Sequence, residues 1–155
     1  GVALRPIQNL ILTGDVQYTH WATIEMITTT YTDPYWQLMM KTKGEDEREM
    51  YWRNGTQIRF GAEYKVHENF ALRGGYYYDP SPAPDKTMNV LLPNFDFNVV
   101  TFGVGYYANG LQIDAAVEYL MAKKREISLD YEYAMPGTYK MSLIVPNISI
   151  SYRFK

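Results

Sequence analysis

The feature that most restricts how this chain folds is a period-2 alternation of apolar and polar residues, repeated in segment after segment. Leu111, Ile113, Ala115, Val117, Tyr119 and Met121 fall on one face of an extended chain, and Gln112, Asp114, Ala116, Glu118 and Leu120 on the other. Successive side chains of a strand point to opposite sides, so such a pattern reads as a strand with two unlike faces. Residues 57–66 set Ile58, Phe60, Ala62, Tyr64 and Val66 against Gln57, Arg59, Gly61, Glu63 and Lys65. Residues 70–79, 100–107 and 148–154 repeat the arrangement, and a longer strand is expected from residue 10 to about 30, with Leu10, Leu12, Val16, Tyr18, Ile24 and Met26 on one face. The available N-cap residues do not lead into apolar positions at helical spacing, so helices are not expected.

The connections carry a second pattern. Short ones fall at 8–9, 67–69 and 108–110, and long ones at about 31–50, 80–97 and 126–137. They alternate strictly, which puts every long loop at one end of the sheet. Outer-membrane barrels have short turns on the periplasmic side and longer loops outside. A soluble β-sandwich or lipocalin-like barrel is the alternative fold, and it has no reason to sort its loops in this way.

Composition agrees with strands in a membrane. The 155 residues hold 17 acidic and 15 basic side chains, a balance without the basic footprint of a nucleic-acid reader, so no nucleic-acid partner is expected. There is no cysteine, which excludes a disulfide scaffold and a thiolate metal site. No apolar run approaches the length of a membrane-spanning helix. Tyrosine is the unusual residue, 15 against 6 Phe and 3 Trp, in a chain whose mean hydropathy is only −0.33. Tyrosine at a lipid–water boundary keeps its ring among acyl chains and its hydroxyl in water, and that girdle accounts for the surplus. The opposite face collects Asp15, Gln17, Glu25, Arg59, Glu63, Lys65, Arg73, Asp79, Gln112, Asp114, Glu118 and Arg153, a mixed-sign set suited to a hydrated lumen. Gly61, Gly75, Gly103 and Gly105 leave room there.

About seven strands follow from this reading. An even number closes a single-chain bacterial barrel, and an open seven-stranded sheet leaves two bare edges in lipid. The expectation is therefore an all-β chain, an antiparallel transmembrane β-barrel portion, with residues 1–155 as its carboxy-terminal part and the rest cleaved, on another chain or absent. Ile150, Tyr152 and Phe154 alternate to within one residue of Lys155. That is the form in which outer-membrane strands finish.

Five motifs in order then resemble one family. The segment from Gly14 to Trp21, followed by Ala-Thr-Ile, resembles the strand ending in W-x-x-W-S of the FadL/TodX outer-membrane transporters, Tyr18 standing for the first Trp and Ala22 for the Ser. Trp52 to Tyr64 is similar to W-x-D-x-x-x-x-x-L-G-x-x-Y, with Asn54 in place of the Asp. Leu72 to Pro84 resembles L-R-x-G-x-x-[YF]-D-x-S-P-x-P, Leu92 to Asp96 resembles [IL]-P-D-x-D, and Phe102 to Tyr106 resembles the G-x-G-Y strand. The resemblance implies a presumed fourteen-stranded barrel with an amino-terminal plug that this sequence lacks. It also implies passive uptake of long-chain fatty acids or aromatic hydrocarbons, released laterally into the membrane through a gap in the wall.

Candidate site residues follow. Asp79 points inward at a strand end, and in the resembled family that position lies near the lumenal ligand region. Arg73 shares its face and could neutralise it or a ligand carboxylate. Arg59 and Glu63 share a face one strand away. All four could equally be rungs of a structural charge ladder. Lys123, Lys124 and Arg125 rise into the last long loop, where they could hold lipopolysaccharide phosphates or simply be a solvated loop base. The run Glu45 to Glu49 reads as a solvated, mobile loop tip with possible divalent bridging to lipopolysaccharide. The only histidines are His20 and His67, and no nucleophile accompanies them on one face, so no enzyme is expected. No Gly-rich phosphate loop or metal-ligand cluster is present, and no cofactor is expected. A barrel wall that binds a partner and transports nothing is the remaining alternative.

Overall fold

The computed structural model describes residues 1–88, 93–131 and 134–154. Leu92 of the fourth motif and the terminal Lys155 lie outside the described residues, as do parts of the second and third long connections. In chain order the elements are β1 (Val2–Ile7), β2 (Leu10–Thr19), a 3-10 turn (Trp21–Thr23), β3 (Met26–Thr28), α1 (Pro34–Lys43), β4 (Glu47–Glu49) and β5 (Gly55–His67). Then come β6 (Phe70–Asp79), a second 3-10 turn (Asp85–Thr87), β7 (Phe97–Ala108), β8 (Leu111–Ala122), β9 (Arg125–Ile127), β10 (Gly137–Tyr139) and β11 (Ser142–Tyr152).

Seven of these strands form one antiparallel sheet in the order β1-β2-β5-β6-β7-β8-β11. Each long strand pairs with its neighbour in the chain, so the sheet is a meander with β1 and β11 at its edges. The short turns hold it in register. In the Asn109-Gly110 turn both residues have positive φ, 49° and 84°, the left-handed pair whose twist matches the flanking strands. A Cβ on Gly110 would also lie 2.8 Å from the Arg153 carbonyl, so glycine is required there for space as well.

Register aligns the two faces across the sheet. Phe60, Tyr76, Val100 and Tyr119 run side by side across β5 to β8, and Tyr64, Leu72, Val104, Ala115 and Ile148 make a second such row through to β11. This apolar face is bare: Phe60 is 60% exposed, Phe102 65% and Ile148 78%. Hydrocarbon left open over a whole sheet face belongs against lipid. Tyr64, Tyr106 and Tyr152 take the outward register near the short-turn end, while Tyr18, Tyr76, Tyr78 and Tyr119 take it near the loop end. Along the strands the two belts lie four to eight residues apart, roughly 13–26 Å at strand rise, and they bracket the apolar face as girdles do. At the loop-side belt the Tyr76 hydroxyl donates to Asn98 Oδ1 at 2.6 Å. The tyrosine surplus also goes elsewhere: Tyr77 and Tyr107 face the lumen, and Tyr31, Tyr35, Tyr51 and Tyr131 lie in the long loops.

Burial is greatest in the loops. Met88, Phe95, Ile127 and Ala134 form a small core, with Phe97, Ala122, Tyr139 and Met141 packed against it. Met50 is buried beside it at 1% exposure.

The first long connection departs from the sequence expectation in three ways. The strand expected from 10 to 30 ends at Thr19. There the Asn54 side chain accepts the Ala22 N–H at 3.0 Å, and Ile24 N–H bonds back to the Trp21 carbonyl, so Ile24, Glu25 and Met26 leave the sheet. A helix is present where none was expected. Asp33 caps α1 by accepting from the N–H groups of Tyr35 and Trp36, Pro34 opens its first turn and Gly44 closes it at φ 67°. Capping signals therefore outweighed the missing amphipathic stripe. The acidic run is not a free tip either, because Glu47–Glu49 pairs as β4 with Met26–Thr28 of β3. Asp33→Ala is expected to loosen α1 by about 1 kcal/mol, read as a roughly fivefold loss of hydrogen-exchange protection over residues 37–41. Unchanged protection would show that the loop, not the cap, holds the helix. Finally, Arg153 lies just past β11 rather than on the lumen ladder, its N–H bonded to the Gly110 carbonyl at 2.8 Å.

Candidate lumenal site and loop cap

On the lumen face the charged residues are tied to one another across strands. Arg73 on β6 donates from Nε to Glu63 Oε2 of β5 at 2.7 Å and from Nη1 to Asp114 Oδ1 of β8 at 2.5 Å, and its Nη2 reaches the Tyr107 hydroxyl. Gln112 completes the row on Asp114 Oδ2 at 2.6 Å. The guanidinium reaches β8 because β7 carries glycine beneath it. A Cβ on Gly105 would lie 2.8 Å from the Asp114 carboxylate and 3.1 Å from the guanidinium nitrogens. Four residues further toward the loops, the Tyr77 hydroxyl donates to Glu118 Oε2 at 2.9 Å, again spanning β7. These are bridges over a whole strand, and Gly103 and Gly105 clear the way for the first.

The structure therefore divides the four candidates. Arg73 and Glu63 face each other as rungs of a charge ladder, and of the alternatives for Arg73 the pairing with Asp79 is not made. Arg59 has its Nε 2.5 Å from Gln57 Oε1 and its Nη2 2.7 Å from Gln17 Oε1. With Asp79 it lines a concavity of about 190 Å³ at the loop end of β2, β5 and β6. Gln17, Thr19 and Gln57 supply further polar wall there, and Trp21, Gly55 and Pro80 the rest. No hydrogen bond or ion pair engages the Asp79 carboxylate among the described residues. Deeper in the lumen a wider trough of about 470 Å³ has Gly61 and Gly75 in its floor and Thr13, Thr101 and Tyr77 at its sides.

Above the mouth, the motif residues fasten loop to loop. Arg125, whose side chain is 12% exposed, donates from Nε (3.0 Å) and Nη2 (2.5 Å) to Asp85 Oδ1. It also donates to Ser81 Oγ at 3.2 Å and to the carbonyls of Asn94 (2.6 Å) and Ala83 (3.0 Å). The Ser81 N–H bonds Asp96 Oδ1 at 2.8 Å. From the other side the first loop joins: Arg53 N–H to the Pro82 carbonyl, Thr87 Oγ1 to the Met50 carbonyl, and the Lys86 ammonium 3.0 Å above the Tyr51 ring, with Tyr51 held at φ 51°. Trp21 and Trp52 meet edge to face at 5.6 Å.

Of the three cations expected at the loop base, Arg125 is thus turned inward as a clasp rather than out toward lipopolysaccharide. Lys124 pairs with exposed Glu126 and draws that carboxyl below its ordinary range. The Lys123 N–H bonds the Asp96 carbonyl at 2.8 Å. Sequence reasoning noted the motif residues Asn54, Ser81 and Asp96 without seeing their work. They fix backbone, and the short side-chain oxygens of Asn54 beside Gly55 and of Asp96 after Pro93 were the available signal.

An antiparallel meander with a bare apolar outer face, tyrosine belts, a bridged polar inner face and its loops gathered at one end defines the wall of an outer-membrane β-barrel. The family model described as outer membrane protein transport protein (OMPP1/FadL/TodX) matches residues 1–154, and the chain belongs to that non-enzymatic family of the outer membrane. A solved FadL homologue of Pseudomonas aeruginosa superposes with a TM-score of 0.73 at 19% identity, covering 97% of this chain and 34% of that one. The 47 kDa outer membrane protein of Pasteurella multocida is 28% identical over 121 residues, 74% of this chain and 27% of that protein. Outer membrane protein P1 of Haemophilus influenzae is 26% identical over 109 residues, 70% and 22% respectively. The chain spans about a quarter of the length of these relatives.

Proposed function

We propose that this chain is carboxy-terminal wall and lumen lining of a fourteen-stranded channel for passive uptake of hydrophobic molecules such as long-chain fatty acids or aromatic hydrocarbons. A plug and the remaining strands are supplied in cis or by another chain. The carrying observation is the inner face. Glu63 and Asp114 share Arg73 across strands and Glu118 accepts from the Tyr77 hydroxyl, so a solute meets a tied inner wall, a trough with Gly61 and Gly75 in it and an open mouth. Arg59 and Asp79 touch the passing molecule, whereas Arg73 and Glu63 hold the wall. The cross-strand bridges equally favour a second reading, a wall that is purely structural or binds a partner. Uptake by cells making the full-length protein decides between them. Labelled oleate and toluene are expected to enter several-fold faster than in cells lacking it, and equal rates for both solutes would overturn the transport reading.

A further inference from the structure

We infer that the seam between β11 and the strand that closes the barrel onto it is a lateral portal at Pro146, through which a small apolar solute passes between lumen and bilayer. This rests on the transport reading and adds to it a crossing point in the wall of this chain. The ladder fixes which way Pro146 turns. In an antiparallel pair, opposed residues alternate between exchanging both backbone bonds and exchanging none. The Arg153 N–H donates to the Gly110 carbonyl at 2.8 Å, and the Ala122 N–H to the Met141 carbonyl at 3.1 Å. Between these two bonds the register of β11 on β8 runs unbroken from Ser142 to Tyr152. Odd-numbered residues of β11 therefore bond β8, and Ser142, Ile144, Pro146, Ile148, Ile150 and Tyr152 turn their backbone groups to the open edge.

Proline has no N–H to offer there, and its ring carbon stands where that hydrogen would point. Within sheets proline is confined to edges, strand starts and bulges, yet Pro146 lies inside the 11-residue β11 with no break in register. A closed barrel in lipid needs every strand bonded on both sides. Here the closing strand finds no donor between Ile144 and Ile148, a stretch of about 13 Å at strand rise. One of its carbonyls is left bare in the bilayer, and the pyrrolidine ring holds it off. The height suits passage into lipid. Pro146 lies opposite Val117 on the outer apolar face, two residues inside the row that carries Tyr119 and six from Tyr152 of the other belt. The lumen side leads to the same place. Leu143 and Val145, both exposed, face inward on either side of the row before Pro146, with Leu120 of β8 opposite Leu143. Glu118, opposite Val145, is drawn the other way, across β7 to the Tyr77 hydroxyl. Only below the gap does the inner face of β11 turn polar, with Asn147, Ser149 and Ser151.

The test uses the full-length protein. In nanodiscs, hydrogen exchange resolved to single amides should run roughly tenfold faster at Ile144 and Ile148 than at Val117 and Tyr119 of β8. Pro146→Val supplies the missing donor on a residue that strands favour, and should slow both seam amides to the β8 rate. Cells making that variant should take up toluene several-fold more slowly than cells making the wild type. The double variant Pro146→Val, Ile148→Pro moves the gap one rung along the same edge and should recover most of the uptake. A loss caused by misfolding would not be recovered by adding a second substitution to proline. Exchange at Ile144 and Ile148 as slow as in β8 would overturn the portal. So would uptake that stays low in the double variant while its circular dichroism matches the wild type. Toluene uptake also separates the two proposals: uptake unchanged in Pro146→Val removes the portal and leaves the channel. Wild-type uptake no faster than in cells lacking the protein removes the channel and the portal with it.

Discussion

Arg125→Ala is expected to open the loop cap while leaving the sheet folded. The side chain is nearly buried and serves Asp85, Ser81 and the carbonyls of Ala83 and Asn94 together. Removing it leaves the half-exposed Asp85 carboxylate without its cation and two loop carbonyls without their donor. Breaking a fully buried ion pair costs about 3–5 kcal/mol. Asp85 is half exposed, so the local cost here is about 2–3 kcal/mol. That corresponds to a rise of roughly 30- to 150-fold in the population of open loops. Protease cleavage within residues 80–97 and 126–137 of the folded protein should accelerate by that factor, with the midpoint for unfolding of the sheet unchanged. Arg125→Lys should rescue little, since one ammonium cannot span four acceptors spread along the 80–97 loop. Cleavage at the wild-type rate in Arg125→Ala would show that the loop core of Met88, Phe95 and Ile127 holds the cap without the clasp.

Arg73→Met should strike the sheet instead. It leaves Glu63 and Asp114 facing one lumen strip without their shared cation, and removes the bridge that ties β5, β6 and β8 over the glycines of β7. All three side chains are a fifth to a third exposed, so the full buried-pair figure does not apply. About 2 kcal/mol is expected, read as a lower urea midpoint in the full-length protein. The triple variant Glu63→Gln, Arg73→Met, Asp114→Asn should recover most of the loss, because no charge is then left unpaired. Gly105→Ala should give part of the same effect through space alone, its methyl group intruding on the guanidinium and the Asp114 carboxylate. If Arg73→Met unfolds at the wild-type midpoint, the bridge contributes nothing measurable and the wall is held by its backbone ladder.

The sheet was legible because its signals are local and redundant. Alternation in β5 to β8 needs only the residues of each strand, and the short turns declare themselves, Asn109-Gly110 above all. The loops were less legible. Helix α1 lies in a segment without an apolar stripe, and only its caps, Asp33, Pro34 and Gly44, announce it. The end of β2 is set by Asn54, 32 residues away from the Ala22 N–H it binds, and no property of residues 10–30 alone contains that bond. The candidate site was half visible: alternation put Arg59, Glu63, Arg73 and Asp79 on the lumen face, but could not say which cation meets which anion.

By itself the sequence determined the long strands of the sheet apart from where β2 ends, their two faces, the segregation of the loops and the setting in lipid, since each follows from side-chain order along an extended chain. Only the tertiary structure decided that Arg73 reaches past β7 to Asp114 rather than along its own strand to Asp79. It also turned Arg125 into the cap, and it left Arg59 and Asp79 together at an open mouth. The reason is physical: a guanidinium goes where two strands away a carboxylate waits and an intervening glycine lets it pass, and that distance exists only once the strands lie side by side.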